Sequence, residues 1–197
     1  MKVSLLLIPF LIVIAHSLTL KQLQSIFPHA PHSRLSAYFP HLEKALKWGK
    51  IDSCKRIAAF LAQVGEESAE FKYMEEIASG KEYEGRKDLG NTHKGDGVRF
   101  KGRGPIQITG RSNYAAAGKG IGVDLIKNPK LASKPQYAFK TAVWFWNSRG
   151  LSKHADKNTQ AAFDHITLRV NGCVKCTRTH KKVRDAYWHK AKKVLGC

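Results

Sequence analysis

One of two neighbouring carboxylates interrupts the apolar stripe of a predicted helix. In the stretch FLAQVGEESAEF (residues 60–71), one helical face carries Phe60, Val64, Glu67 and Phe71. Glu66 lies beside Glu67 but points about 100° away around the helix. A carboxylic acid on an apolar face loses hydration, which raises its pKa and suits it to donate a proton as a general acid. The alternative is an edge position from which Glu67 reaches solvent or a lysine, and periodicity alone favours this alternative.

A second group of carboxylates follows in the polar stretch KEYEGRKDLGN (residues 81–91). It contains Glu82, Glu84 and Asp88. A loop carboxylate beside Arg86 and Lys87 is expected to stay ionised, because nearby cations lower its pKa. One protonated acid and one ionised carboxylate together form the arrangement that glycoside hydrolysis uses. The residues alone suggest this chemistry, although paired carboxylates are common in proteins of this size.

Other side chains are suited to contact a sugar, and no other chemistry is indicated. Aromatic faces and amide groups are supplied by Tyr83, Phe100, Tyr114, Trp144, Trp146, Gln107, Asn113 and Asn171. The stretch AVWFW (142–146) is also typical of a buried hydrophobic core. The histidines lack metal-ligand spacing, no Ser-His-Asp arrangement is visible, and GKGIG (118–122) lacks the preceding strand of a dinucleotide site. We therefore expect no metal and no cofactor.

The first residues, MKVSLLLIPFLIVIAHS, have the features of a secretory signal peptide. They combine Lys2, an apolar run and an A-x-S cleavage pattern. A membrane anchor is the alternative, but the apolar run from Val3 to Ala15 is short for a bilayer span. We predict a signal peptide over residues 1–17 and a single exported domain over 18–197 that acts as a monomer without a membrane span.

The cysteine count agrees with export. Cys54, Cys173, Cys176 and Cys197 are an even set, which in an oxidising compartment predicts two disulfides. Four cysteines allow three pairings, and the sequence does not choose among them. The C-x-x-C at 173–176 also fits a redox or zinc motif, but no second C-x-x-C and no βαβ context accompany it.

A net charge of +19 favours anionic partners. Nucleic acid is not expected for an exported chain without a recognisable binding motif. An acidic polysaccharide or an anionic bacterial surface fits both the charge and the export.

The apolar periodicity predicts a mainly α-helical chain with one polar insertion. The predicted helices cover Leu20–Phe27, Ser33–Trp48, Asp52 or Ser53 to about Ala69, Ser112–Ala117, Pro135–Asn147, Thr159–Arg169 and Arg178–Val194. Residues 80–104, rich in Gly, Asn and Asp, are predicted as a loop with at most short strands. A loop of this length in a compact domain is more often functional than idle.

Several segments resemble one family. FKGRGPIQITGRSNY (100–114) closely resembles the GRGPIQL segment of the family 19 glycoside hydrolases, the chitinases of plants and bacteria and their phage endolysin relatives. GVDLIKNPKLASKPQYAFKTAVWFW (122–146) and ITLRVNG (166–172) continue the similarity. FLAQVGEES resembles the family helix that ends in the catalytic His-Glu-Ser/Thr. The resemblance runs in order from roughly Ile57 to Leu195 and implies a lysozyme-like, two-lobed helical domain with a catalytic cleft.

The resemblance also implies roles for individual residues. Glu67 falls on the general acid, and the general base falls in the following loop at Glu84, with Glu82 as the alternative. The family inverts configuration in a single displacement, so these carboxyls are expected about 6.5–9.5 Å apart. The implied sugar-contacting positions are Gln107, Thr109, Asn113, Tyr114, Lys140, Asn171 and Arg184.

Two departures from the family pattern accompany the match. Glu66 stands where the family usually has His, and Ala69 and Glu70 take glycine positions. Since Glu66 points away from Glu67 on a helix, activity is expected to survive.

The substrate implied by the resemblance is a polymer of N-acetylglucosamine. The positive charge favours peptidoglycan over nearly neutral chitin, with chitin as the alternative. The alternative outside the enzymes is a cationic sugar-binding or membrane-active protein that has no catalytic activity.

Overall fold

The computed structural model describes residues 17–197, and in this range the chain forms helices joined by turns. The α-helices are α1 (Leu20–Ile26), α2 (His32–Trp48), α3 (Cys54–Glu67), α4 (Asp96–Arg99), α5 (Arg111–Ile121), α6 (Pro135–Ser148), α7 (Leu151–Lys157), α8 (Gln160–Asn171) and α9 (Lys181–Leu195). Short 3-10 turns cover Lys81–Tyr83, Lys87–Leu89, Pro129–Ser133 and Thr177–Thr179. The predicted mainly helical class is confirmed. The predicted signal peptide lies, except for Ser17, outside the described residues.

Residues 80–104, predicted as a loop with at most short strands, contain no strand; they form turns and the short helix α4. Two isolated bridges join Arg103 to Glu75 and to Ile108. The first bridge holds the segment after α3 against the GRGP segment, and the second closes a turn within residues 103–108. Among the described helices, none is both long and apolar enough to cross a bilayer.

Helix α3 forms the centre of the core. Ser53 caps its first turn by accepting a hydrogen bond from the Arg56 amide, as the sequence predicts. Every residue from Ile57 to Gly65 is buried, so α3 is covered on all sides rather than along one stripe. Its chief neighbour is α9, which the chain reaches more than a hundred residues later. The helix ends at Glu67, two residues before the predicted end, because a left-handed turn follows.

One glycine lets the end of α1 approach α3 closely. A Cβ at Gly65 would lie 2.4 Å from the Phe27 ring, closer than two carbon atoms can approach. The Phe27 ring packs edge-on against Phe71 and Tyr187, with ring centroids 5.2 and 5.3 Å apart. These rings connect the turn after α3 to α9. They thereby fix the position at which α3 ends.

The polar insertion is held by a buried ion pair. Arg111, at the start of α5, donates two hydrogen bonds to Asp96 at distances of 2.8 and 2.5 Å. These bonds hold the pKa of Asp96 at about 2, so its carboxylate is ionised at neutral pH. Asp96 also begins α4, which the sequence analysis took as loop. The ion pair anchors the insertion to the helix that follows the GRGP segment.

Helix α7 is the other element that the sequence analysis missed. Its flanking residues, Gly150 and Asn158, both adopt the left-handed conformation. The helix has seven residues, as α1 has, but Thr19 caps α1 whereas no side chain caps the first turn of α7. Neither a cap nor a long periodic pattern therefore marks α7 in the sequence.

Candidate active site

Glu67 is the last residue of α3 and is paired with a buried arginine. The Nη2 atom of Arg184 donates to Glu67 Oε1 at 2.5 Å, with 2% of the arginine side chain and 18% of the Glu67 side chain exposed. Arg184 also donates to Gln63 Oε1 and to the carbonyl of Thr179, each at 2.8 Å. A buried cation with three acceptors is held rigidly. The Glu67 carboxyl is therefore fixed at the end of the helix.

The carboxylates at the end of α3 meet one face of the α9 region. Glu66, Glu67 and Glu70 pair with His180, Arg184 and Tyr187, which follow one another at i, i+4 and i+7. As helical geometry predicts, Glu66 has a partner different from that of Glu67. The second oxygen of Glu70, Oε2, is buried and has no hydrogen-bond partner within residues 17–197.

A left-handed turn follows Glu67 immediately. Ala69, Glu70 and Phe71 have φ values of 48°, 54° and 63°, although none of them is glycine. The Ser68 hydroxyl donates to the Val64 carbonyl and accepts from the Phe71 amide, which stabilises the turn. Each non-glycine residue in this region costs about 1 kcal/mol. The turn therefore explains why glycine is the family's usual choice at 69 and 70.

Replacing Ala69 with glycine is expected to raise the free energy of unfolding by about 0.5–1 kcal/mol. The reason is that relief of the left-handed strain exceeds the extra entropy of the unfolded chain. The matched control is Ala115→Gly, in the interior of α5, which is expected to lower stability by about 1 kcal/mol. Urea unfolding of both variants measures the difference. Equal destabilisation by the two changes would show that the turn at Ala69 carries no strain.

Glu76 lies on the segment that leaves this turn and faces polar groups. Its Oε1 accepts from the Tyr83 hydroxyl at 2.8 Å, and its Oε2 accepts from the Gly102 amide at 2.9 Å. A Cβ at Gly102 would lie 2.7 Å from Gln107 Oε1 and 3.1 Å from Glu76 Oε2, so a larger residue would displace the ends of these side chains. The carboxylate is partly exposed. Glu76 is therefore accessible to solvent beside a predicted sugar-contacting amide.

Tyr83 supplies a permanent donor to Glu76. Burial and the hydrogen bond to Glu76 raise the pKa of Tyr83 to about 12. Its hydroxyl therefore keeps its proton at neutral pH and donates to the carboxylate, which only accepts when ionised. The arrangement suits a fixed, ionised carboxylate.

The two carboxylates that the sequence analysis considered as the base have other surroundings. Both oxygens of Glu84 accept backbone amides at the start of α4, from Gly95 at 2.6 Å and from Gly97 at 2.8 Å. Arg86, expected beside the base, pairs instead with Asp88. Glu82 is exposed in the turn Lys81–Tyr83. The base role of Glu84 stays a prediction. In the structure its carboxylate accepts backbone amides at the start of α4 and so stabilises the start of that helix.

Three predicted sugar-contacting residues line one partly exposed surface. The Thr109 hydroxyl donates to the Gln107 carbonyl at 3.0 Å, and the Asn113 amide donates to the Thr109 carbonyl at 2.8 Å. Gln107 donates through Nε2 to the Gly104 carbonyl, and its backbone is left-handed with φ of 52°. The segment therefore presents hydroxyl and amide groups in a fixed order beside Glu76.

Two other residues of that set do not reach the surface. Tyr114 is fully buried; it donates to the Lys101 carbonyl at 2.6 Å and accepts from Arg103 at 3.0 Å. Arg184 is buried against Glu67. The expectation that these two contact sugar directly is corrected, because the core encloses both side chains. Their hydrogen bonds instead hold in place the residues that carry the site.

Lys140 and Asn171 lie farther along the chain and are partly exposed. Lys140 is in the middle of α6, and Asn171 ends α8, where its side-chain oxygen accepts from Thr179 at 3.3 Å. Thr179 also supplies the carbonyl that accepts from Arg184. Asn171 is thus connected to Glu67 through two residues. Its sugar contact, and that of Lys140, stay predictions.

Within residues 17–197 the structure shows no bond between cysteine sulfur atoms, so the two disulfides that the sequence predicts stay a prediction. Cys54 lies within hydrogen-bond reach of Cys197, and Cys173 within reach of Cys176. Of the three possible pairings, the structure brings together the thiols of only this one.

The elements around Glu67 and Glu76 fit a hydrolase that works with two carboxyl groups on a helical scaffold. The family model for chitinase class I matches residues 48–193, well over half of the chain. The chain belongs to glycoside hydrolase family 19.

Individual relatives agree with this assignment. The chain is 41% identical to an endochitinase of Arabidopsis thaliana over 120 residues, which cover 60% of this chain and 40% of that protein. It is 33% identical to a family 19 domain-containing protein of Haemophilus influenzae, covering 75% of this chain and 84% of the relative. Its matches thus span less than half of the plant relative and most of the bacterial one.

Solved structures support the fold. Chitinase C from Streptomyces griseus superposes with a TM-score of 0.73 at 25% identity, covering 92% of this chain and 77% of that one. The class IV chitinase from Zea mays gives 0.67 at 25% identity, covering 88% and 90%. The lysozyme-like helical fold expected from the sequence is confirmed.

Proposed function

We propose that this protein hydrolyses the β-1,4 bonds of chitin with inversion, using Glu67 as the general acid and Glu76 as the general base. The observation that carries the proposal is the position of these carboxylates on either side of the turn 68–71, each held by fixed donors. Membership of family 19 supports the reaction class.

The first half of the mechanism concerns the leaving group. Glu67 reacts in its protonated form, in which Arg184 donates to one carboxyl oxygen, and it gives its proton to the glycosidic oxygen as the bond to the anomeric carbon breaks. The carboxylate that forms remains beside the Arg184 guanidinium, which stabilises its charge. Because Arg184 is also held by Gln63 and Thr179, this stabilisation requires no rearrangement.

The second half concerns water. Glu76 accepts a proton from a water molecule, whose oxygen attacks the anomeric carbon from the opposite face of the sugar. Tyr83 and the Gly102 amide each donate a hydrogen bond to the carboxylate and so fix its orientation. In this proposal, Gln107, Thr109 and Asn113 contact the N-acetyl and hydroxyl groups of the sugar.

Chitin is favoured over peptidoglycan as the substrate. The preference for peptidoglycan expected from the charge has no support among the relatives, whereas the Arabidopsis protein and both solved structures are named as chitinases. Export is also part of the proposal, since the predicted signal peptide implies an extracellular polymer.

The test is product release from chitin oligomers and from purified peptidoglycan, measured side by side. We expect cleavage of chitin oligomers and a loss of about 10²–10⁴-fold in Glu67→Gln. The matched control is Glu66→Gln, the neighbouring carboxylate that pairs with His180, which is expected to retain most activity. Cleavage of peptidoglycan alone would overturn the substrate. Cleavage of neither polymer would favour the noncatalytic, sugar-binding or membrane-active alternative.

A further inference from the structure

A second concave surface lies beside the segment that carries Glu76. This surface, here called the basic groove, has a volume of about 770 Å³ and lies between the α4 region and residues 127–134. Its lining includes Arg99, Lys101, Arg103, Lys127, Lys130 and Lys134, opposed by a single carboxylate, Glu75.

The groove and the candidate active site use opposite sides of one pair of extended segments. Neighbouring side chains point in opposite directions along extended backbone. Glu76 accepts the Gly102 amide on the active-site side, whereas Glu75 meets Arg103 on the groove side. Glu76 and Gln107 are not among the residues that line the groove. The groove is therefore separate from the predicted sugar-contacting surface.

The single carboxylate of the groove is neutralised within the protein. Glu75 lies 3.1 Å from Arg103 and 3.4 Å from Lys101. Burial alone would raise the pKa of Glu75, but these two cations outweigh it and hold the pKa below its usual value. Because Arg103 and Lys101 already balance the charge of Glu75, this carboxylate does not neutralise the other lysines of the groove.

Three lysines at the rim are free to bind an external anion. Lys127, Lys130 and Lys134 are exposed, and none forms an ion pair with another residue in the range 17–197. Arg99 holds the wall that carries them by donating to the carbonyl of Ile126 at 2.8 Å. The rim thus presents several ammonium groups on a braced backbone, which attracts a ligand with several negative charges.

The apolar residues of the lining, called the floor of the groove, restrict the class of ligand that can bind. Val98, 46% exposed, lies with Pro129 and Leu131 among the lysines. Such apolar patches fit the nonpolar faces of sugar rings. No aromatic side chain lines the groove, so it lacks the stacking surface on which single-stranded nucleic acids rely.

We propose that the basic groove binds a carboxylate-bearing polysaccharide at a site separate from the catalytic one. The rim lysines pair with carboxylates on successive sugars, and the apolar floor contacts the ring faces between them. Binding of this kind places the enzyme on an acidic glycan matrix while the active site remains free for its own substrate.

The test is binding of a fluorescent oligogalacturonate at low salt to the full-length protein. We expect the triple variant Lys127→Ala, Lys130→Ala, Lys134→Ala to bind about tenfold or more weakly. Raising the salt concentration should weaken the wild type and remove the difference, because the paired charges are exposed. Hydrolysis of chitin oligomers by this variant should be unchanged, which separates failure of the groove from failure of the active site.

The control is a second triple variant that lowers the net charge by the same amount but at lysines outside the groove. Lys21, Lys44 and Lys153 are exposed on α1, α2 and α7, and their triple alanine variant should bind nearly as well as the wild type. Equal losses in the two triple variants would overturn the proposal in favour of nonspecific attraction. Tighter binding of single-stranded DNA of equal charge would overturn it in favour of a nucleic-acid surface.

A single substitution tests the floor. Val98→Glu places a carboxylate among the lysines, whereas Leu168→Glu makes the same change at a residue on α8 that is 42% exposed. We expect only Val98→Glu to weaken oligogalacturonate binding. A similar effect of both changes would overturn the location of the site.

Discussion

Replacing Glu76 with glutamine is expected to lower kcat for chitin oligomers by about 10²–10⁴-fold. Glutamine keeps the size of the side chain and can still accept one hydrogen bond from Tyr83 or Gly102, but it cannot take a proton from water. Binding should change little, because the sugar-contacting surface is intact. Steady-state kinetics that separate kcat from KM measure the effect.

Glu84→Gln is the control that distinguishes the two candidate bases. Its carboxylate accepts the amides of Gly95 and Gly97, so the change removes a cap of α4 and lowers stability by about 1–2 kcal/mol. Activity below the unfolding temperature should stay within about tenfold of the wild type. The opposite pattern, with Glu84→Gln inactive and Glu76→Gln active, would assign the base to Glu84.

Carboxylates are numerous in the glycine-rich stretch, and for this reason the sequence offers Glu84 and Glu82 as the base, whereas the proposal of Glu76 depends on tertiary contacts. Only the structure shows that both oxygens of Glu84 accept amides at the start of α4. Adjacent residues in an extended segment face opposite sides, so Glu75 and Glu76 in the stretch MEEI (74–77) have different partners. Glu75 contacts Arg103, and Glu76 contacts Tyr83 and Gly102.

Much of the helical scaffold was predictable, because its helices are long and amphipathic or well capped. The Ser53 cap and the apolar run of α3 marked one such helix, and Pro135 marked the start of α6. Helices α4 and α7 are too short for periodicity to appear. The left-handed turn after Glu67 was also hidden, since Ala69 and Glu70 rarely adopt that conformation.

The partners of the carboxylates depend on tertiary packing. The spacing of His180, Arg184 and Tyr187 shows that they share a face of α9, but not that this face meets the end of α3. For the same reason the sequence cannot test the sugar contacts that the resemblance implies for Tyr114 and Arg184. Only the packed core shows that both side chains are buried.

Replacing Arg184 with methionine is expected to lower the free energy of unfolding by about 3–5 kcal/mol. Methionine fills much of the volume but leaves Glu67, Gln63 and the Thr179 carbonyl without their buried donor. The melting temperature should fall by roughly 10 °C. Activity should fall as well, because the Glu67 carboxyl loses the group that fixes its position.

Arg56→Met is the matched control, since Arg56 makes two hydrogen bonds to Asp156 at 2.7 Å but is 29% exposed. Its loss should cost less than about 1 kcal/mol. A double-mutant cycle with Glu67→Gln then isolates the ion pair. If Arg184 acts through the Glu67 charge, Arg184→Met should cost less in the glutamine background. If Arg184→Met lowered the free energy of unfolding equally in both backgrounds, the stabilisation would come from the hydrogen bonds to Gln63 and Thr179. Arg184 would then support the structure of α9 and would not position the acid.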